Sequence, residues 1–330
     1  MIINGVNTVT KPLIYITRSI PQQLLEKYKQ IIDFRMWTEE SIPVPRMILK
    51  NEIKKANGLL CLLTEQVDAD LLEAATNLKI VANMAVGYDN IDIAAAKKKG
   101  IIVTNTPDVL TETTADLTFA LLMATARRIV EANNYIRMNK WEHWSPFLLA
   151  GSDIHHKTIG IVGMGRIGEA VARRAKGFKM SILYHNRNRN RNAEKELNAT
   201  YVSLHTLVKE SDFVVSLVPL TSETKQLFNK ETFQTMKETA IFINASRGGV
   251  VDEKALYDAL LQNEIKAAGL DVFSEEPIDS THPLMQLENV VCLPHIGSAS
   301  VETRTKMLEL CLDNIVAVFS GKKPLTPVED

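Results

Sequence analysis

The chain is 330 residues long, 45% apolar and 23% charged, with a formal net charge of −1. That length holds two domains, each with its own core, and the composition excludes a disordered or low-complexity chain. With no global basic field, nucleic acid is not an expected partner, and any anion must be caught by local groups. Cys61, Cys292 and Cys311 are an odd set among aliphatic residues, without C-x-x-C spacing or a recognisable secretory leader. No apolar run approaches the roughly 20 residues of a membrane span. A reduced, cytoplasmic protein away from membranes is the expectation.

Short Ile, Val and Leu runs alternate with stretches of helical period, the pattern of parallel strands joined by crossover helices. The fold class is α/β. Strands are expected near Leu13 to Thr17, Gly58 to Leu62, Ile80 to Ala82 and Ile101 to Thr104. Pro21 should open a helix between the first two, and a helix over Asp92 to Lys99 should close on Gly100. From Thr111 the stretch TETTADLTFALLMATARRIVEANNYIRM reads as one long helix, too apolar for a single buried face. It should be buried on several sides, crossing between domains or filling a subunit interface. A loop with Trp141, Trp144 and Pro146 follows. A second strand and helix series then runs from Thr158 to about Cys292, and a last helix spans Val301 to Phe319. There is no repeat at solenoid periods, so two doubly wound domains are expected.

Thr158 to Gly168 reads TIGIVGMGRIG: an aliphatic strand, then Gly163-x-Gly165-x-x-Gly168, then the helical run EAVARRAKGF. In that context the motif is the dinucleotide fingerprint. Its first Gly makes the turn, the second admits pyrophosphate, and the third packs helix on strand. The bland alternative is a tight turn with no ligand. The second strand, Met180 to Tyr184, should end on the residue that inspects the adenosine ribose. NAD-binding versions carry a carboxylate there, whereas this chain has His185-Asn186-Arg187-Asn188-Arg189-Asn190-Arg191. Arg187 or Arg189 can pair with a 2'-phosphate, so NADP(H) is the preferred cofactor and NAD(H) the secondary one. The alternative is a merely solvated loop.

Three turns follow expected strands: Ser246-Arg247-Gly248-Gly249, Glu275-Glu276-Pro277 and Pro294-His295-Ile296-Gly297-Ser298. In an open α/β sheet such turns line the ligand crevice. Reducing a 2-keto acid needs a cation for the carboxylate, a proton donor for the developing alkoxide, and a group that keeps the donor protonated. Arg247, His295 and Glu276 are the chemical types required. Singly, each is more often a surface charge or a structural histidine. No spacing suggests a metal cage or a Ser-His-Asp triad.

These segments, with AVGYDNID at Ala85 to Asp92, the SLVPLT stretch from Ser216, INASRGGVVDE, AAGLDVFSEEP and LPHIGSAS, resemble the D-isomer-specific 2-hydroxyacid dehydrogenase family over nearly the whole chain. The glyoxylate/hydroxypyruvate reductase and 2-ketogluconate reductase branch is the most similar. The resemblance implies a Rossmann cofactor domain, 104–293, inserted into a flavodoxin-like substrate domain, 1–103 with 294–330. It implies catalytic Arg247, Glu276 and His295, and substrate contacts at Val86, Gly87 and Ser298. Cofactor contacts are implied at Arg166 and Ile167 (pyrophosphate), Asn186 and Arg187 (ribose), and Ser216, Val218 and Pro219 (adenine side). Ala245 and Gly297 would also touch cofactor, and Asp271 the nicotinamide amide. A homodimer is implied, with Trp141, or else Trp144, bordering the partner's substrate; plain interface packing is the alternative for that tryptophan. The competing readings are a phosphoglycerate or lactate type dehydrogenase using NAD, and an NAD(H)-sensing corepressor that shares the fold.

Overall fold

A computed structural model describes residues 11–329. The chain forms two compact units, one running to Leu110 and resuming at Ser300, the other Thr111–Ala299. The passages therefore fall later than the 103/104 and 293/294 boundaries expected from sequence, for a reason visible in the backbone. Asn105 and Thr106 still donate to Thr326 and Ala85 inside the first unit. His295 and Ile296 donate to the main chain and side chain of Asp271 in the second. His295 thus belongs to the second unit.

The first unit holds five parallel strands: β1 (Leu13–Ile16), β2 (Asp33–Met36), β3 (Gly58–Cys61), β4 (Ile80–Asn83) and β5 (Ile102–Thr104). Their order is β2-β1-β3-β4-β5, the flavodoxin-like order, which reverses between β1 and β3. β3 and β4 are buried at every residue, so they read as continuous apolar runs. β2, with sequence DFRM, is an edge strand with its two charged residues outward, and its weak apolar signal hid it from the sequence reading. Ile53, Leu71 and Ala96 of three helices cover one face of the sheet. Leu308, Cys311, Leu312 and Ile315 of the closing helix Val301–Phe319 cover the other. Pro21 opens two short 3-10 turns, Gln22–Leu24 and Glu26–Tyr28, in place of the expected helix. Asp92 caps the helix Ile93–Lys98 through the Ala95 amide, and Gly100 follows at φ +68°.

The second unit holds seven parallel strands: β6 (Thr158–Val162), β7 (Ser181–His185), β8 (Thr200–Tyr201), β9 (Phe213–Ser216), β10 (Ile241–Asn244), β11 (Ala267–Leu270) and β12 (Val290–Cys292). They run in the order β12-β11-β10-β9-β6-β7-β8. This is the doubly wound dinucleotide-binding arrangement with one added strand, and its order reverses between β6 and β9. The long helix expected from Thr111 is two helices, Thr111–Ala126 and Ile129–Arg137, with Arg128 left-handed at φ +54° between them. The Ser152 amide takes the Ala126 carbonyl at 2.8 Å, so that carbonyl does not serve a continuing helix. The first segment is buried along Ala115, Phe119, Leu121 and Leu122. The second buries none of its residues.

Candidate active site

Each fingerprint glycine has a distinct physical task. Gly163 follows β6 at φ +104°, a conformation open to glycine, and a Cβ there would lie 2.7 Å from the Leu217 backbone. A Cβ on Gly168 would lie 2.2 Å from the Gly163 carbonyl oxygen, so the helix Arg166–Gly177 packs directly on the turn. Around Gly165 nothing lies within 4 Å of a would-be Cβ. Gly165 is also the N-cap of that helix and offers no side-chain cap, so Arg166 and Ile167 begin a helix whose first amides suit an anion. A dinucleotide pyrophosphate fits this open turn.

Beyond β7, the Met164 amide donates to Asn186 Oδ1 at 2.7 Å, and Asn186 Nδ2 donates back to the Met164 carbonyl at 3.3 Å. Asn186 therefore shapes the turn. The two candidate arginines separate. Arg189 makes a two-pronged bond to Glu194 at 2.9 and 2.8 Å and lies 5.4 Å from the centre of the Tyr201 ring. The bonds from Arg189 and then Tyr184 outweigh desolvation and hold the Glu194 carboxyl down at about 2. Arg187 is 81% exposed and makes one long ion pair, 3.4 Å, with Glu223. At the end of β9, buried Ser216 lies 3.1 Å from the Ser246 hydroxyl, Val218 is half-buried, and Pro219 is exposed.

The three turns that carry Arg247, Glu276 and His295 meet within the second unit. After β10, Asn244 is buried, donates to the Arg247 carbonyl at 2.9 Å and accepts from the Ser246 amide and hydroxyl. Ala245 is half-buried between Asn244 and Ser246. A Cβ on Gly248 would fall 1.8 Å from the Phe273 carbonyl carbon, so this turn lies directly against the one after β11. There the Phe273 amide donates to Glu276 Oε1 at 2.9 Å, and Glu276 Oε2 lies 2.7 Å from His295 Nδ1. Burial pushes the Glu276 carboxyl up. The bond to His295 and its charge, the Phe273 amide and the Arg247 charge together outweigh burial and leave it below its ordinary value.

His295 sits at φ +53°, an arrangement that costs a residue with a side chain about 1–3 kcal/mol and persists only when neighbours enforce it. Asp271 is the enforcer. Its carbonyl accepts from His295 N at 2.9 Å and its Oδ1 from Ile296 N at 2.8 Å. A Cβ on buried Gly297 would come within 3.3 Å of Asp271 Oδ2, and Ser298 beyond it is half-buried. Burial pushes the Asp271 carboxyl up, against the Ile296 amide, the His295 charge and the Gly297 amide.

Sequence reasoning passed over Asn244, Gly248 and the support of the imidazole loop by Asp271. It also missed Glu253, whose Oε1 accepts from the Ser274 amide at 2.6 Å, bracing the Glu276 turn. The doubled glycine after Arg247 was the available signal. In the first unit, the Val86 and Gly87 carbonyls accept from Asn105 and Asn83 at 2.8 and 2.9 Å. Trp141 and Trp144 are 58% and 78% exposed. Among the described residues no group of three His, Cys, Asp or Glu side chains could hold a metal ion, and no helix is long and apolar enough to cross a membrane.

A doubly wound domain with a dinucleotide turn, and an imidazole, carboxylate and guanidinium on adjoining turns, define a nicotinamide-nucleotide-dependent oxidoreductase. Residues 119–297 match the D-isomer specific 2-hydroxyacid dehydrogenase, NAD binding domain. The chain belongs to that family. It is 52% identical over 315 residues to the glyoxylate reductase of Korarchaeum cryptofilum, covering 95% of each chain. It is 49% identical over 322 residues to that of Thermococcus kodakarensis, covering 96% of each. Among solved structures it is similar to a Thermus thermophilus protein, with TM-score 0.90 and 42% identity, covering 96% of this chain and 100% of the other. It is also similar to the NADPH-dependent glyoxylate/hydroxypyruvate reductase of Sinorhizobium meliloti in complex with NADP and malonate, with TM-score 0.84 and 35% identity over 97% of each chain. The chain is thus an oxidoreductase of 2-keto and 2-hydroxy acids.

Proposed function

We propose that the protein reduces small 2-keto acids to D-2-hydroxy acids with NADPH, acting on glyoxylate and hydroxypyruvate and extending to 2-ketogluconate. The carrying observation is the 2.7 Å bond between Glu276 and His295 Nδ1. That bond leaves Nε2 as the ring nitrogen that protonates the substrate oxygen, and the carboxylate favours the charged, donating imidazole. When bound, the nicotinamide supplies the hydride. Arg247 grips the substrate carboxylate and polarises the ketone, and the Val86 and Gly87 amides and Ser298 are further substrate contacts. The names of the relatives support glyoxylate as substrate.

NADPH preference rests on Arg187 at the ribose position with no carboxylate from Asn186 to Arg191. Ser216, Val218 and Pro219 border the adenine, Ala245 and Gly297 border the cofactor, and Asp271 is the nicotinamide amide partner. The protein acts as a homodimer through an exposed apolar surface that includes Ile129, Ile136, Met138, Trp141, Trp144 and Phe147. Its three cysteines are free thiols, which suits the cytoplasm. Steady-state oxidation of NADPH and NADH against glyoxylate, hydroxypyruvate and 2-ketogluconate tests the reading. No turnover with any 2-keto acid overturns it in favour of a binding module, and a clear NADH preference overturns the cofactor assignment.

A further inference from the structure

The first unit carries a buried charge network that the reaction chemistry does not use. Arg18 follows β1 and is 7% exposed, and Glu65 follows β3 and is 3% exposed. Their strands flank the point where the sheet order reverses, where open α/β sheets receive ligands. Each oxygen of Glu65 is doubly engaged. Oε1 accepts from Arg18 at 2.8 Å and Thr64 Oγ1 at 2.7 Å, and Oε2 accepts from Thr17 Oγ1 at 2.6 Å and the Leu62 amide at 2.9 Å. Arg18 also donates to the Thr17 carbonyl and to Thr64 Oγ1. Four donors use the acceptor capacity of one carboxylate. A buried ion pair is seldom more stabilising than apolar residues of equal volume, so its value here lies in the conformation it imposes.

That conformation is transmitted through two asparagines. Asn90 Nδ2 donates to the Leu62 and Glu65 carbonyls at 3.0 and 2.9 Å, which joins the loop after β3 to the loop after β4. Asn83 Nδ2 donates to the Gly87 carbonyl at 2.9 Å and lies 3.5 Å from Asn90 Oδ1. The chain of bonds thus runs from the ion pair to the Val86–Gly87 turn.

We propose that Glu65 and Arg18 are positioning residues that hold the Leu62–Thr64 and Val86–Gly87 loops in the geometry that binds the 2-keto acid. The proposal rests on the reading of Val86 and Gly87 as substrate contacts. Glu65→Gln keeps size but replaces two acceptor sites with donors, so the Leu62–Thr64 loop loses its fixed position. Because small displacements of binding groups have large kinetic effects, KM for glyoxylate should rise about tenfold or more while kcat changes less than about threefold. The fluorescence-titrated Kd for NADPH should not change, since the fingerprint lies in the other unit. Asn90→Ala leaves the ion pair intact and cuts the link, so it should reproduce the KM rise, and it serves if Glu65→Gln does not fold. Glu65→Asp, which retains the charge, should recover part of the loss. An unchanged KM in both variants overturns the proposal, as does a rise in the NADPH Kd in step with KM, the mark of general unfolding. Wild-type protein inactive on every 2-keto acid is a separate outcome that removes the substrate reading and the proposal with it.

Discussion

His295 Nδ1 lies 2.7 Å from Glu276 Oε2, and main-chain groups of the turn after β11 fix both partners from behind. The Phe273 amide holds the other oxygen of Glu276, and the Asp271 carbonyl holds the His295 amide. Positive φ at His295 fits this picture: the ring is aimed by its neighbours against its own backbone preference.

Glu276→Gln keeps a hydrogen-bond acceptor for Nδ1 but removes the charge that favours the protonated imidazole. Reductive kcat/KM should therefore fall by about ten- to a hundredfold, the worth of one charge-assisted bond, while the Kd for NADPH is unchanged. Stability follows a separate sign. The Glu276 carboxyl titrates below its ordinary 4.5 in the folded protein, so its ionised form stabilises the fold above that value and ceases to do so as pH falls through the lower one. The Tm advantage of wild type over the variant should shrink below about pH 4.5. A kcat/KM equal to that of wild type would remove Glu276 from the proton chemistry.

Arg187→Ala and Arg189→Ala should have different consequences. Arg187 is exposed and holds one long ion pair, so its loss should lower kcat/KM for NADPH by about ten- to a hundredfold, the worth of a charge-assisted bond, and leave NADH unaffected. Arg189 is committed to Glu194 and Tyr201. Its loss should lower Tm and disturb both cofactors alike. Parallel measurements with the two nucleotides decide the assignment, and equal losses for NADPH and NADH in Arg187→Ala would sink it.

What was legible in the sequence follows from how locally each feature is determined. The fingerprint turn is written in adjacent residues: Gly168 answers the Gly163 carbonyl within it and Gly165 keeps its own space open, and only Gly163 answers a distant segment, the Leu217 backbone after β9. Buried strands such as β3 and β4 announce themselves as apolar runs. Edge strand β2 does not, because its residues alternate toward solvent. The break at Arg128 was invisible because Ser152, far along the chain, takes the Ala126 carbonyl. In the site, Arg247, Glu276 and His295 could be named from chemistry. Of their supports, Asn244 works inside the Arg247 turn, where a buried polar role has no sequence signature, and Gly248 works through the backbone of the Phe273 turn, which spacing along one chain does not reveal.

Asp271 is nearly fully buried, and burial raises its carboxyl above the ordinary 3.8. A raised carboxyl reverses the sign that holds for Glu276. Stability is fully present below about 3.8 and declines as pH rises through the folded value, so at neutral pH the ionised group costs stability. Asp271→Asn removes that cost and keeps an oxygen for the Ile296 amide, so at pH 7 it should melt no lower than wild type. Asp271→Ala leaves that amide unpaired and should lose roughly 1–3 kcal/mol. Thermal melts of the two variants at pH 7 check the order, and an alanine variant as stable as the asparagine variant would contradict it.

Two glycines predict opposite responses to one added methyl group. At Gly248 a Cβ would lie 1.8, 2.0 and 2.2 Å from the Phe273 carbonyl carbon, its oxygen and the Ser274 amide nitrogen. All three are backbone, so relief requires moving the turn that carries Glu276. Gly248→Ala should cost about 1–3 kcal/mol or more, a fall in Tm of several degrees. It should also depress kcat on the order of a hundredfold, because the carboxylate leaves the imidazole. At Gly165 no atom lies within 4 Å of the new Cβ, so Gly165→Ala should melt like wild type. The methyl would project where pyrophosphate approaches the backbone, so the Kd for NADPH should rise and extrapolated kcat should fall much less than in Gly248→Ala. Equal melting losses in the two variants would show that Gly165 is a packing residue and that the open turn does not receive the cofactor.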